Sequence, residues 1–176
     1  MNLRSSSFRV AVLFLALTFG SALAGERRVG DWASSTDDPE RISAYTMNGA
    51  GSILSMSCPY TDGSRACFYA FSLQLGCVED SRYPVLVNTD VGASHEMIIC
   101  SGRTLDDGST LYFFASYESI NDTIRAASRI GIVFPAKGDQ FEVLRFSLSG
   151  SRQCLEAVDY AVRQANENYR PARESL

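Results

Sequence analysis

Between Cys67 and Cys77 every second residue is apolar: Cys67, Tyr69, Phe71, Leu73, Leu75 and Cys77. A period of two kept over this length predicts a β-strand with one buried face. Ile53–Tyr60 has the same period, with Leu54, Met56, Cys58 and Tyr60 on the apolar side and Ser55 and Ser57 on the polar side. Thr61-Asp62-Gly63-Ser64 lies between them and reads as the turn of a hairpin. Setting Cys58 opposite Cys67 brings Met56 against Tyr69 and Leu54 against Phe71, so each facing pair is apolar, as a pleated pair requires. An earlier strand over Ile42–Met47 joins through Asn48-Gly49, a tight-turn dipeptide.

The second half continues with the short apolar runs Pro84–Asn88, Glu96–Cys100 and Leu111–Ser116. Asp106-Asp107-Gly108 supplies a turn before the last of these. Ser119-Ile120-Asn121-Asp122 opens a short helical pattern, with Ile120, Ile124 and Ala127 at helical spacing. Ile130–Phe134 and Gln140–Leu148 form a final hairpin across residues 135–139. After Gly150 the period changes: Leu155, Val158, Val162 and Ala165 make one apolar helical stripe. These elements predict a single mainly-β domain over residues 25–165, an antiparallel sandwich or curved sheet of about eight strands. One short central helix and one C-terminal helix complete it. The polar segment Asn166–Leu176, with Pro171, is expected to be a flexible tail. Core and cross-strand packing is the favoured reading of the aromatics, but Phe68, Phe113 and Tyr117 fall opposite or at the edge of the expected core face, and an exposed cluster there would be a candidate contact surface.

Residues 1–24 differ in kind. Arg4 and Arg9 precede an apolar run from Val10 to Phe19, and Ala22-Leu23-Ala24 has the small–x–small pattern of a processing site. This is the layout of a secretory signal peptide, and the run falls short of the roughly 20 residues that span a bilayer. A periplasmic or secreted protein cleaved near Ala24 is expected, with no membrane span. Without that segment the chain has fourteen basic and twenty acidic side chains, a net charge of −6. Such a balance argues against nucleic acid and anionic membranes as partners.

Export bears on the five cysteines, because disulfides are the default in an oxidising compartment. The spacings around Cys58, Cys67 and Cys77 match neither paired zinc ligands nor C-x-x-C, and His95 is the single histidine. Neither a metal nor another cofactor is implied. On one continuous strand Cys67 and Cys77 stand about 33 Å apart, whereas a disulfide spans Cα atoms no more than about 7 Å apart. The expected bonds are Cys58–Cys67 across the hairpin and Cys77–Cys100, leaving Cys154 as a buried free thiol. The alternative pairs Cys77 with Cys154 and leaves Cys100 free.

Asp90, Ser94, His95 and Glu96 are the one place where carboxylate, hydroxyl and imidazole gather. Adjacent residues on an extended chain point to opposite faces, so Ser94 and His95 are not expected to meet as nucleophile and base. Lys137, the partner a Ser–Lys dyad would need, lies in the Pro135–Asp139 turn. The alternating oxygens of Asn88, Asp90, Ser94 and Glu96 lack the frame of an EF-hand. No catalytic residue is assigned. The four residues 90 and 94–96 stand as a candidate functional loop.

Val29-Gly30-Asp31-Trp32 near the start, and Phe146-Ser147-Leu148-Ser149-Gly150 leading into the last helix, carry a resemblance. The chain is similar to the small exported bacterial proteins of the invasion-associated locus B type. That resemblance implies a strand-rich body, bacterial export and a non-catalytic accessory or host-interaction role, with no active site to carry over. Cys154, and the cysteines at 58, 67 and 77, depart from the shared pattern. The expected function is therefore a disulfide-stabilised module that binds an envelope or extracellular protein. An envelope hydrolase acting on cell-wall material, and an inhibitor or immunity protein of a wall-degrading enzyme, are the alternatives.

Overall fold

The computed structural model describes residues 25–168, except 39, 62 and 136–139. The expected signal peptide, Lys137 and the last eight residues of the chain lie outside the described residues.

Short amphipathic segments joined by turns favour antiparallel neighbours, and the described residues form one main antiparallel sheet of ten strands with two helices. In chain order the strands are β1 (Glu26–Val29), β2 (Trp32–Ser35), β3 (Ser43–Met47), β4 (Ile53–Ser57), β7 (Phe68–Leu73), β8 (Arg82–Thr89), β9 (Ala93–Thr104), β10 (Thr110–Phe114), β11 (Arg129–Pro135) and β12 (Phe141–Ser147). Two-residue strands β5 (Tyr60–Thr61) and β6 (Ser64–Arg65) make a separate small hairpin at the expected turn. The sheet order is β1-β2-β3-β4-β7-β10-β9-β8-β11-β12. Leu54 faces Phe71 and Met56 faces Tyr69, the register expected from the alternation.

Two strands more than expected belong to the main sheet's first hairpin. β1 and β2 are four residues each and pair around Gly30-Asp31, too short and polar to show a period. A second difference concerns the Cys67–Cys77 segment. β7 ends at Leu73, and the chain then turns through Gly76 to Asp80, which has a φ of 60°. Alternation continues past Leu73 because Leu75 and Cys77 still pack against the core, not because the strand goes on.

The sheet is continuous and curls on itself, so its inner face encloses a core. Tyr112 on β10 lies 5.5 Å from Phe134 on β11 between ring centroids, although β9 and β8 separate their strands in the sheet. Fully buried Trp32, Tyr69, Phe71 and Leu54 fill the same interior. Helix α1 (Tyr117–Ala126) starts two residues before Ser119, because the Ser116 hydroxyl accepts the Ser119 amide as its cap. It buries Ile120 and Ile124. Helix α2 (Ser151–Asn168) buries Cys154, Leu155 and Val158 against β1, β2 and β3. α2 runs into the segment expected as tail, where the Asn166 side chain accepts the Arg65 amide at 2.9 Å. Arg125 of α1 and Asp159 of α2 pair at 2.7 Å, which ties the helices together.

The β1–β2 turn and the segment leading into α2 meet in a clasp. The Asp31 amide donates to the Ser149 carbonyl at 3.0 Å, and the Trp32 indole N–H donates to the Ser147 carbonyl at 3.0 Å. Gly30 (φ 58°) and Gly150 (φ 85°) lie in the left-handed region that disfavours side chains. A Cβ on Gly30 would sit 2.6 Å from the Ser149 carbonyl oxygen, and one on Gly150 would strike the Val29 carbonyl. The Gly-Asp-Trp and Ser-Leu-Ser-Gly segments are thus two halves of one contact.

Disulfides join Cys58 to Cys67, with Cα atoms 4.1 Å apart, and Cys77 to Cys100, 6.1 Å apart. The first closes the β4–β7 pair below its turn. The second ties the irregular stretch after β7 to the middle of β9. Cys154 is a buried free thiol whose pKa burial pushes up, opposed in part by a hydrogen bond with Ser34.

Candidate functional site

The residues 90 and 94–96 do not converge. Asp90 sits in the β8–β9 turn, where its carboxylate accepts the Ser128 hydroxyl at 2.6 Å and the Ser128 and Arg129 amides at 2.9 and 3.3 Å. Those bonds, the Ser128 hydroxyl first, hold its pKa down to about 2. The turn is braced further by Thr89, whose hydroxyl accepts the Val91 and Gly92 amides. Asp90 therefore pins this turn to the α1–β11 junction.

Ser94 and Glu96 share one side of β9. Glu96 is 6 % exposed and accepts the hydroxyls of Ser94 at 3.1 Å and Ser119 at 2.6 Å. This carboxylate fastens β9 to α1. His95, between them, points to the other face and is exposed. No group of three or more metal-ligating side chains stands together among the described residues. Asp107 is engaged by its own turn, accepting the Ser109 amide and hydroxyl. Asn121 accepts the Tyr69 hydroxyl and the Arg125 Nε–H, so its side-chain carbonyl oxygen holds α1 in place.

The surface least accounted for by folding is the outward face of β9, β8, β11 and β12. Their neighbours across the sheet put residues in rows: His95–Leu86–Val133–Val143, and beside it Ala93–Asn88–Gly131–Arg145. Met97–Pro84 and Pro135–Phe141 continue the pattern on the other side. Leu86, Met97, Val143 and Phe141 are exposed, Phe141 at 71 %. With strands about 4.8 Å apart, the row from His95 to Val143 spans roughly 14 Å. Farther along β9, Ile99 stands between Arg82 and Phe113 of β10, which meets Phe68 of β7 edge to face at 5.0 Å. Two of the three aromatics singled out in the sequence thus lie on the outward side of the neighbouring strands. Tyr117 instead stacks on Tyr69, 5.5 Å between ring centroids.

Charge on the outward side of these strands has one sign. Their outward positions include Arg82, Arg129 and Arg145 and no carboxylate, although the chain is acidic. None of the three arginines has an ion-pair partner among the described residues. A trough of about 430 Å³ opens over Gly131, between Arg129, Arg145, Asn88, Val133 and Val143. Sequence reasoning missed this face. Its one signal was lost alternation in Ile130-Gly-Ile-Val-Phe134 and at Val143-Leu144, where both sides of an antiparallel strand are apolar.

No protein-family model and no curated protein matches the chain. Among solved structures, the crystal structure of invasion associated protein B from Bartonella henselae superposes with a TM-score of 0.54. The fold is similar to that of invasion associated protein B. The match covers 77 % of this chain and 96 % of that one at 13 % identity, so the likeness to invasion associated protein B is one of fold. It supports the expected resemblance at that level, and the two disulfides fit an exported protein.

Proposed function

We propose that this is an exported, disulfide-stabilised accessory module of the bacterial envelope that binds a protein through the outward face of β9, β8, β11 and β12. The observation that carries this reading is a row of exposed and half-exposed apolar side chains on the sheet, with no helix or strand over it among the described residues. Monomeric proteins seldom leave such a patch uncovered unless it binds something. The same strands hold the disulfide to Cys77 and the Asp90 pin, so the surface is presented without a further ordering cost. The likeness to invasion associated protein B is compatible with an accessory role and supplies no partner.

The test compares the exported protein with a Leu86→Glu, Val143→Glu double variant in affinity capture from a periplasmic extract. A single stoichiometric partner that is lost with the variant supports the reading. A partner kept by the folded variant overturns it.

A second reading, that of an inhibitor inserting a tip into an enzyme cleft, draws on the β8–β9 turn. Val91 is 63 % exposed there, on a turn held by Thr89 and Asp90. Val91→Asp would abolish capture under that reading and leave it intact under the first.

A further inference from the structure

The trough over Gly131 deepens the proposed binding role and rests on it. We infer that it receives a carboxylate side chain of an extended, acidic and apolar segment of the partner, gripped between Arg129 and Arg145.

Gly131 is the starting point. It sits in the middle of β11, paired on both sides with Asn88 and Arg145, where a glycine weakens a strand. Its backbone does not need one, since its φ lies outside the left-handed region. Its packing does not need one either. A Cβ there would meet the Asn88 and Leu144 carbonyl oxygens at 3.6 and 3.9 Å and Val143 Cγ1 at 4.0 Å, all ordinary contacts. Strand glycines often mark a bulge, a tight bend or a close approach of another molecule to the backbone, and the register around Gly131 is unbroken on both sides, with no bulge. The missing side chain is what opens the trough.

The walls define what fits. Arg145 stands directly across the strand pair from Gly131, and Arg129 lies two residues away on the same face. Guanidinium forks match carboxylates in a bidentate geometry, which favours an ionised carboxylate over a neutral amide of the same shape. Asp90, whose carboxylate accepts the Arg129 amide, is already engaged by three hydrogen bonds from Ser128 and Arg129, and Glu142 falls on the opposite face of β12 from Val143 and Arg145. Val133 and Val143 border the trough, and Leu86 continues their row, so apolar side chains alternate with the charged position along a bound segment. A second copy of the chain is disfavoured, because a two-fold contact through this face would set these arginines against each other. A bilayer is disfavoured as well, because the arginines flank a trough on the sheet face and are not carried on a protruding tip.

The test titrates the 15N-labelled exported protein with acetyl-Leu-Glu-Leu-Glu-Leu-amide and with its Gln counterpart, reading amide shifts. The inference expects shifts at Asn88, Gly131, Val133 and Arg145, with binding at least tenfold weaker for the Gln peptide. Arg129→Gln with Arg145→Gln removes that preference, and Gly131→Leu, folded by its unchanged spectrum elsewhere, abolishes binding of both peptides. Equal binding of the two peptides on this face overturns the carboxylate site and leaves the binding face standing. Shifts confined to other surfaces, or none, overturn both. Stronger binding to phosphatidylglycerol vesicles than to the Glu peptide, lost in the arginine double variant, replaces the peptide by a lipid surface and overturns the inference.

Discussion

Gly150→Ala is the sharpest probe of how the chain closes. Gly150 has a φ of 85°, and an added Cβ would run into the Val29 carbonyl. A left-handed conformation costs a non-glycine residue about 1–2 kcal/mol. The clash also forces the β1–β2 turn away from the start of α2. That movement breaks the Asp31 amide to Ser149 and Trp32 indole to Ser147 hydrogen bonds, each of net worth about 0.5–1.5 kcal/mol. The total loss is about 2–5 kcal/mol, a large part of the roughly 5–15 kcal/mol that stabilises a domain. At about 2–4 °C per kcal/mol for a domain of this size, the melting temperature falls by roughly 5–15 °C. Gly51 provides the control. It has the same φ of 85° with nothing within 4 Å of an added Cβ, so Gly51→Ala carries the conformational cost alone, about 1–2 kcal/mol. Denaturant unfolding of both variants under oxidising conditions measures the difference. Equal losses at the two positions would refute the clasp.

Three further outcomes follow from named contacts. Replacing Cys77 and Cys100 together by Ser opens a loop with a sequence separation of 23, which costs about 3 kcal/mol on the chain-entropy account and is read by denaturant unfolding. Asp90 has its pKa lowered in the fold, so what it contributes is complete above its unfolded value of about 3.9 and is lost as pH falls through about 2. A carboxyl titration by NMR should find that midpoint, and Asp90→Ala should speed hydrogen exchange at the Ser128 and Arg129 amides. Cys154 is buried with its pKa pushed up, so iodoacetamide at neutral pH should leave it unmodified in the native protein and alkylate it after denaturation without reductant.

Legibility in the sequence followed what each signal reports. Alternation reports burial, so the β4–β7 pairing was readable down to Leu54 opposite Phe71. The same signal overran the strand at Leu73, because Leu75 and Cys77 remain half-buried in irregular backbone. β1 and β2 carry no alternation, since their place depends on the clasp with residues 147–150, which are distant in sequence. Polar clustering drew attention to Asp90, Ser94 and Glu96, yet their side chains are engaged in fastening the β8–β9 turn and β9. Short-range spacing cannot tell a carboxylate that holds two elements together from one that does chemistry. The outward face was hidden for a related reason. Leu86, Val133 and Val143 become one row through strand order β8-β11-β12, and no local pattern contains that order.

The central claim is that a protein partner sits on this face. A photo-cross-linking side chain placed at Leu86, at Val143 or at Tyr160 on the exposed side of α2 tests it in living cells. The account predicts one and the same cross-linked protein from positions 86 and 143, and none from position 160. A partner trapped at Tyr160 and absent from both sheet positions would contradict it.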